Sequence, residues 1–159
     1  IDEALDLARQ TDIGFHLLDR IYGTRILMCA DDPQAALHVM RDAAASVRGP
    51  LETCPGCRIT FAMPAAIAAA RAGEVALAEQ HETQCAYLAD VVMRLPAWHA
   101  AHDEVRGHIA AAKGAPADDI GASFASAVAR YRVAGHPLDA ARCERLARQV
   151  APGRTSGAR

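Results

Sequence analysis

Aromatic residues are scarce in this sequence. Its 159 residues include 3 Phe, 3 Tyr and 1 Trp against 37 Ala, and 52% of the residues are hydrophobic. Sheet proteins favour β-branched and aromatic side chains, whereas Ala is the best helix former and occupies little volume. The composition therefore predicts close-packed helices and argues against a β-sandwich. The apolar content also argues against disorder over most of the chain.

Long apolar runs and a leader segment are missing as well. No run reaches the roughly 18 apolar residues that a membrane span requires. The sequence starts at Ile1, without a Met or a signal-like stretch, which predicts a piece cut from a longer protein. Five cysteines, an odd number without secretory context, indicate a reducing compartment. We therefore expect a cytoplasmic segment that makes no membrane contact.

Lysine is almost absent, since Lys113 is the only one. The formal net charge is −2, and acidic and basic residues are interspersed along the chain without forming a basic face. Nucleic-acid-binding modules need a basic face that neutralises phosphates. We therefore expect no direct contact between this segment and nucleic acid.

Helix-forming segments separated by turn residues fill the chain. Apolar residues recur at helical spacing, and Val and Ile do not alternate as they would in strands. A first helix is predicted from Asp12, after a cap at Thr11, and a second begins at Pro33, after Asp31-Asp32. The later breaks are at Gly49-Pro50, a connection from Leu51 to Gly56, Gly73, Pro96, Gly114 to Pro116, and Gly135 to Pro137.

The tight turns recur at a nearly constant interval. Asp31, Gly73 and Gly114 are 42 and 41 residues apart, and each separates two helical segments. Periods of this size are typical of α-solenoids, in which each helical pair buries its apolar face against its neighbours. The alternative is a seven-helix globular bundle with evenly spaced turns.

The predicted fold is all-α: an α-solenoid of antiparallel, tetratricopeptide-like helix pairs with about seven to eight helices. Residues 1–151 form a single helical-repeat domain, and residues 1–10 are the end of a preceding repeat. Residues 152–159, which contain Gly, Ser and Arg, form a flexible tail.

Cys54-Pro55-Gly56-Cys57 is the most specific local motif. Two cysteines three positions apart just before a predicted helix suit either of two chemistries. Both thiolates can reach one metal ion, or they can form a redox pair because the helix dipole stabilises a thiolate at that end. A single Cys-x-x-Cys supplies only half of a zinc site.

The geometry of a helical repeat indicates which residues could supply the missing zinc ligands. Helices one repeat apart run parallel, so the helix that carries His99 and His102 should begin beside the helix that follows Cys57. The candidate zinc ligands are therefore Cys54, Cys57, His99 and His102, with Cys85 as a substitute ligand. The alternative is that the cysteines shape a turn or fill the core and that the histidines are solvated.

No constellation of residues predicts an enzyme. A thioredoxin-like oxidoreductase needs strands beside its Cys-x-x-Cys helix, and none is predicted. Helical proteins resembling alkylhydroperoxidase D place a His four residues after the second cysteine, where this sequence has Phe61.

Four segments, in this order and spacing, carry a family resemblance: Cys54 to Cys57, Met63 to Glu74, Pro96 to Trp98, and Tyr131 to Cys143. Over roughly residues 50–148 the sequence resembles the C-terminal helical-repeat region of large bacterial LuxR-type, MalT-like transcriptional regulators and related ATPases with tetratricopeptide repeats. The resemblance implies a sensor or scaffold arm that contacts the other domains of its parent protein and binds a small-molecule inducer or a partner protein.

The sequence thus predicts a non-enzymatic ligand- or partner-binding module of a larger transcriptional regulator. Its binding groove would be lined by the first helix of each pair, Ile13 to Ala30, Ile59 to Ala72, and Trp98 to Ala112. The second hypothesis is a zinc-responsive or thiol-redox-responsive sensor built on Cys54 and Cys57.

Overall fold

The computed structural model describes residues 1–11, 14–46 and 54–150. The predicted helix start at Asp12, the predicted break at Gly49-Pro50, most of the connection from Leu51 and the predicted tail at 152–159 lie outside these residues. The helices are α1 (Asp2–Gln10), α2 (Phe15–Met28), α3 (Pro33–Ser46), α4 (Pro55–Arg71), α5 (Val75–Ala86), a π-helix (Tyr87–Met93), α6 (Pro96–Ala112), α7 (Ala117–Val133) and α8 (Pro137–Val150).

The helices pack in the order expected of a repeat. The successive pairs are α2 with α3, α4 with α5, and α6 with α7, and each pair contacts the next through α2–α4, α3–α4, α4–α6 and α5–α6. α1 packs on α2, and α8 packs on α7. The prediction of an all-α, helical repeat-like fold is confirmed, and no strand occurs among the residues that the structure describes.

Three glycine turns close α4, α6 and α7 in the same way. Gly73, Gly114 and Gly135 have φ values of 82°, 68° and 77°. After α4, the N–H of Glu74 donates to the carbonyl of Ala69, and the turns after α6 and α7 repeat this six-to-one hydrogen bond. This is the Schellman motif, which needs a left-handed residue and therefore favours glycine. The first predicted turn is built differently, because the Asp32 carboxylate caps α3 by accepting from two N–H groups.

α4 is the central helix, and it is packed through small side chains. It contacts α2, α3, α5, α6 and the π-helix, and all six of its alanines are buried. Gly23 allows α2 to come close, since a Cβ at that position would lie 2.2 Å from the Thr60 carbonyl oxygen. Close packing of this kind explains how an alanine-rich sequence forms a core with few aromatic residues.

The helix that begins after Gly73 does not keep one geometry to its end. It changes from α to π at Tyr87, so Cys85, Leu88 and Val92 do not share one continuous helix face. Cys85 and Leu88 are buried, whereas Val92 is 38% exposed. Arg94 ends the π-helix with φ = 50°, and its N–H donates to the carbonyl of Ala89.

Candidate functional site

Cys54 and Cys57 lie at the start of the central helix α4. Cys54 is the N-cap residue, and its Sγ accepts from the Cys57 backbone N–H at 3.3 Å. The two sulfur atoms are 2.9 Å apart. Cys54 is exposed, whereas Cys57 is only 5% exposed. A helix follows the first cysteine as the sequence predicts, but α4 already begins at Pro55, whereas the predicted connection extended to Gly56.

The two thiols have opposite pKa shifts. The hydrogen bond from Cys57 lowers the pKa of Cys54, and the charge of Arg20 on α2 lowers it further. Burial raises the pKa of Cys57, and the adjacent Cys54 raises it further, although Arg20 opposes both effects. The pair thus combines an exposed thiol that ionises more readily than usual with a buried thiol that ionises less readily.

The two predicted histidine ligands contact carboxylates. His99 Nδ1 lies 2.7 Å from Asp90 Oδ1, and His102 Nε2 lies 2.6 Å from Glu82 Oε1. The second Asp90 oxygen is 3.6 Å from His102 Nδ1. Asp90 belongs to the π-helix and Glu82 to α5, so these contacts tie α6 to the preceding pair.

The predicted zinc ligands therefore form two separate pairs, the cysteines at the start of α4 and the histidines with their carboxylates. Among the described residues, no three His, Cys, Asp or Glu side chains are grouped so that they could hold a metal ion. The substitute ligand Cys85 is fully buried, and burial raises the pKa of its thiol. The zinc site remains a prediction that these contacts do not support.

A cleft of about 470 Å³ opens between α3 and α5, above α4. We call it the α3–α5 cleft. Its lining residues are Leu37, Met40, Arg41, Ala43, Ala44, Arg58, Phe61, Glu74, Leu77, Gln80 and His81. The cleft thus lies mainly between the second helices of two pairs, whereas the sequence predicted a groove on the first helices.

Arg58 links the cleft to the interior. Its Nη1 donates to the Asp19 carboxylate at 3.0 Å, its Nε donates to Gln84 at 3.1 Å, and its guanidinium carbon lies 5.2 Å from the centre of the Phe61 ring. Asp19 is completely buried, which raises its pKa, although Arg58 opposes that shift. The second Asp19 oxygen, Oδ2, has no hydrogen-bond partner within the described part of the chain.

His81 forms the wall of the cleft beside Phe61. The two rings meet edge to face, with centres 5.8 Å apart. Burial lowers the pKa of His81 to about 4, and the nearby Arg58 charge acts in the same direction. The imidazole is therefore neutral at pH 7 and adds a polar but uncharged group to the cleft.

Sequence reasoning did not identify the cleft residues or the buried charges. Arg41 and Arg58 lie in helices and belong to no motif, and Glu74 is only the last residue of a segment that carries the family resemblance. The one available signal was the position of Arg58 immediately after Cys57, which fixes it on the first turn of α4.

Comparisons of the chain with known proteins found no match. No protein-family model, no curated protein and no solved structure matches the chain. Within the described residues, no helix is both long enough and apolar enough to cross a bilayer.

Proposed function

We propose that this chain is the ligand-binding arm of a larger cytoplasmic transcriptional regulator and that the α3–α5 cleft takes a small organic anion with an apolar body. The observation that carries this proposal is the cleft itself, which combines an apolar base with an arginine that the described ion pairs do not use. The resemblance to LuxR-type regulators supplies the regulatory context.

The size of the cleft favours a small molecule over a protein partner. Small-molecule sites usually measure about 300–1,000 Å³, and this cleft has about 470 Å³. A stable protein interface buries about 800 Å² on each partner and is centred on large apolar anchors. Leu37, Met40, Phe61 and Leu77 form the apolar part of the lining, against which the body of a small ligand would pack.

The charges of the lining favour an anionic group. Arg41 is exposed, and none of the ion pairs among the described residues involves it. Arg58 is already paired with Asp19, and His81 is neutral at pH 7. Glu74 stands on the opposite wall, at the start of α5, so it disfavours an anion at its own end of the cleft. Arg41 is therefore the cation that a carboxylate would pair with.

Two matched pairs of small molecules test this proposal: benzoate with benzamide, and hexanoate with hexanamide. Titrations into the isotopically labelled chain would be followed by amide chemical shifts in NMR spectra. We expect both carboxylates to shift residues of α3 and α5 that line the cleft, and both amides to bind at least about tenfold more weakly because they lack the charge that pairs with arginine.

Arg41→Gln tests the contact directly, and Arg106→Gln on α6 is the matched control. Both arginines are exposed and take part in none of the described ion pairs. We expect Arg41→Gln to abolish the preference for carboxylates and Arg106→Gln to keep it. Carboxylate binding that is unchanged by Arg41→Gln, or shifts spread evenly over the helices, would contradict the proposal.

A further inference from the structure

We propose that Cys54 and Cys57 are a reversible thiol–disulfide pair that reacts with low-molecular-weight disulfides, with Cys54 as the attacking and Cys57 as the resolving residue. The proposal rests on the exposure of Cys54, the burial of Cys57 and the 2.9 Å between their sulfur atoms. It does not depend on a ligand in the α3–α5 cleft.

Cys54 has the position of an attacking thiolate. Its sulfur is exposed to solvent, so a small disulfide can reach it. The Cys57 N–H points at this sulfur from the first turn of α4, and the positive end of a helix dipole favours an anion there. Arg20, on the neighbouring helix α2, adds a full positive charge that favours the thiolate.

Cys57 has the position of a resolving thiol. With 5% of its surface exposed, it is poorly accessible to a disulfide from solution. Its sulfur nevertheless lies 2.9 Å from that of Cys54, so it needs little movement to attack a mixed disulfide on Cys54. The short Pro55-Gly56 link keeps the two residues within one helical turn.

The reaction consists of two successive thiol–disulfide exchanges. The Cys54 thiolate attacks one sulfur of a disulfide R–S–S–R, forms a mixed disulfide and releases RS⁻, which takes up a proton. Cys57 then loses its proton and attacks the Cys54 sulfur, which releases the second thiolate. In total, two cysteine thiols are oxidised to one disulfide, and one R–S–S–R is reduced to two RSH.

The other cysteines provide an internal comparison. Cys85 and Cys143 are completely buried, in separate parts of the core. Cys29 is partly accessible, but it is the C-cap residue of α2, where the helix dipole does not favour an anion. No other pair of cysteine sulfurs makes a contact within the described residues.

The reduced chain, treated with a chelator and kept folded, would be incubated with oxidised glutathione and then acid-quenched and alkylated. Trypsin cleaves after Arg48 and Arg58, so the peptide of residues 49–58 carries both cysteines of the pair. We expect this peptide to lose two hydrogen atoms and to escape alkylation, while Cys29, Cys85 and Cys143 remain alkylatable after unfolding. Reduced glutathione should restore both thiols.

Two variants assign the roles. Cys57→Ser should stop the reaction at a stable glutathione adduct on Cys54, whereas Cys54→Ser should form neither the adduct nor the disulfide. Cys57→Ala replaces the serine variant if circular dichroism shows that Cys57→Ser is not folded. Arg20→Gln should slow adduct formation by about threefold or more because it removes a charge that favours the thiolate, and Arg106→Gln should not.

Oxidation of the wild-type chain can be measured without any variant, so the proposal remains testable if a variant fails to fold. An unmodified 49–58 peptide after incubation with oxidised glutathione would overturn it. So would a glutathione adduct that forms on Cys29 faster than on Cys54. Both outcomes would leave the cleft proposal unaffected, because that proposal is tested by carboxylate binding to the reduced chain.

Discussion

Arg142 of α8 holds both carboxylate oxygens of Glu104 of α6. Its Nε donates to Oε1 and its Nη2 donates to Oε2, each at 2.7 Å, and the Tyr131 hydroxyl donates to Oε2 at 2.9 Å. Glu104 is only 2% exposed. Because the apolar cluster around α8 is small, this buried carboxylate contributes to the attachment of the last helix.

We expect Arg142→Met to lower the free energy of unfolding by about 2 kcal/mol, since it leaves the buried Glu104 carboxylate without its charged partner and with only the neutral Tyr131 hydroxyl and Cys143 thiol beside it. The loss should lie below the 3–5 kcal/mol typical of a broken buried pair, because the Arg142 side chain is 45% exposed and water can partly replace it. Chemical unfolding followed by circular dichroism measures the change.

Arg145→Met is the control for this substitution. Arg145 is on the same helix, is exposed and takes part in none of the described ion pairs, so its replacement should change the stability by less than about 0.5 kcal/mol. Equal losses in the two variants would show that the Glu104 contact does not stabilise α8.

The fold was largely predictable from the sequence, because the residues that end and begin its helices act through local backbone geometry. Gly73 and Gly114 supply the left-handed residue that each turn requires, and the cap at Asp32 is visible in the sequence. The change to π geometry at Tyr87 was not predictable, because no local sequence signal marks it; the π-helix packs against α4 and α6.

The candidate sites were only partly predictable, because most of their contacts join residues that are distant in the sequence. The cysteine motif is local, and the structure places it at the start of α4 as expected. The partners of His99 and His102 depend on which side chains of the π-helix and α5 come within reach, and sequence spacing does not specify this. The pairing of Arg58 with Asp19 joins residues 39 positions apart, and no periodic pattern links them.

Replacing Gly23 and Gly121 with alanine should change the stability of the protein in opposite directions. A Cβ at Gly23 would lie 2.2 Å from the Thr60 carbonyl oxygen of α4, whereas a Cβ at Gly121 would have no neighbour within 4 Å. Gly23→Ala must push α2 away from the central helix, so it should lower the free energy of unfolding by about 3 kcal/mol. Gly121→Ala should instead gain about 0.8 kcal/mol, because alanine favours the helix.

Thermal unfolding of the two alanine variants would test this contrast. A lower melting temperature for Gly23→Ala and a higher one for Gly121→Ala are expected. A tolerated alanine at position 23 would show that α2 and α4 are not in close contact there.

Arg94 and Gly73 form a second matched pair, based on backbone conformation. Arg94 has φ = 50° at the end of the π-helix, and Gly73 has φ = 82° at the end of α4. Left-handed backbone costs a non-glycine residue about 1–2 kcal/mol. After the greater loss of chain entropy on folding of glycine is subtracted, Arg94→Gly should stabilise the protein by about 0.5 kcal/mol.

Gly73→Ala should destabilise the protein by about 1 kcal/mol through the same effect. A Cβ there would meet no atom within 4 Å, so backbone strain would be its only cost. Urea unfolding at a single pH measures the change in the free energy of unfolding for both Arg94→Gly and Gly73→Ala. A stabilising Gly73→Ala would contradict the conclusion that the turn depends on a left-handed residue.

The stability of the protein should fall as the pH is lowered from 6.5 to about 4, and His108 should be one cause. Burial, helped by the charges of Arg71 and Arg142 and opposed by that of Glu104, lowers the pKa of His108 to about 4. The unfolded chain therefore binds a proton below pH 6.5 that the folded chain takes up only near pH 4. Protonation thus favours the unfolded state across this window, by up to about 3 kcal/mol if the whole shift is expressed.

Replacing His108 tests this linkage. In His108→Gln the free energy of unfolding should fall less steeply between pH 6.5 and 4, and the remaining fall should include the contribution of His81, whose pKa is also about 4. His38→Gln, at an exposed position of α3, is the control for the exchange of a histidine for glutamine. A His108→Gln curve parallel to the wild type would show that the folded protein binds a proton at His108 as readily as the unfolded chain does, in spite of the edge-to-face contact of this ring with Phe124 at 5.3 Å.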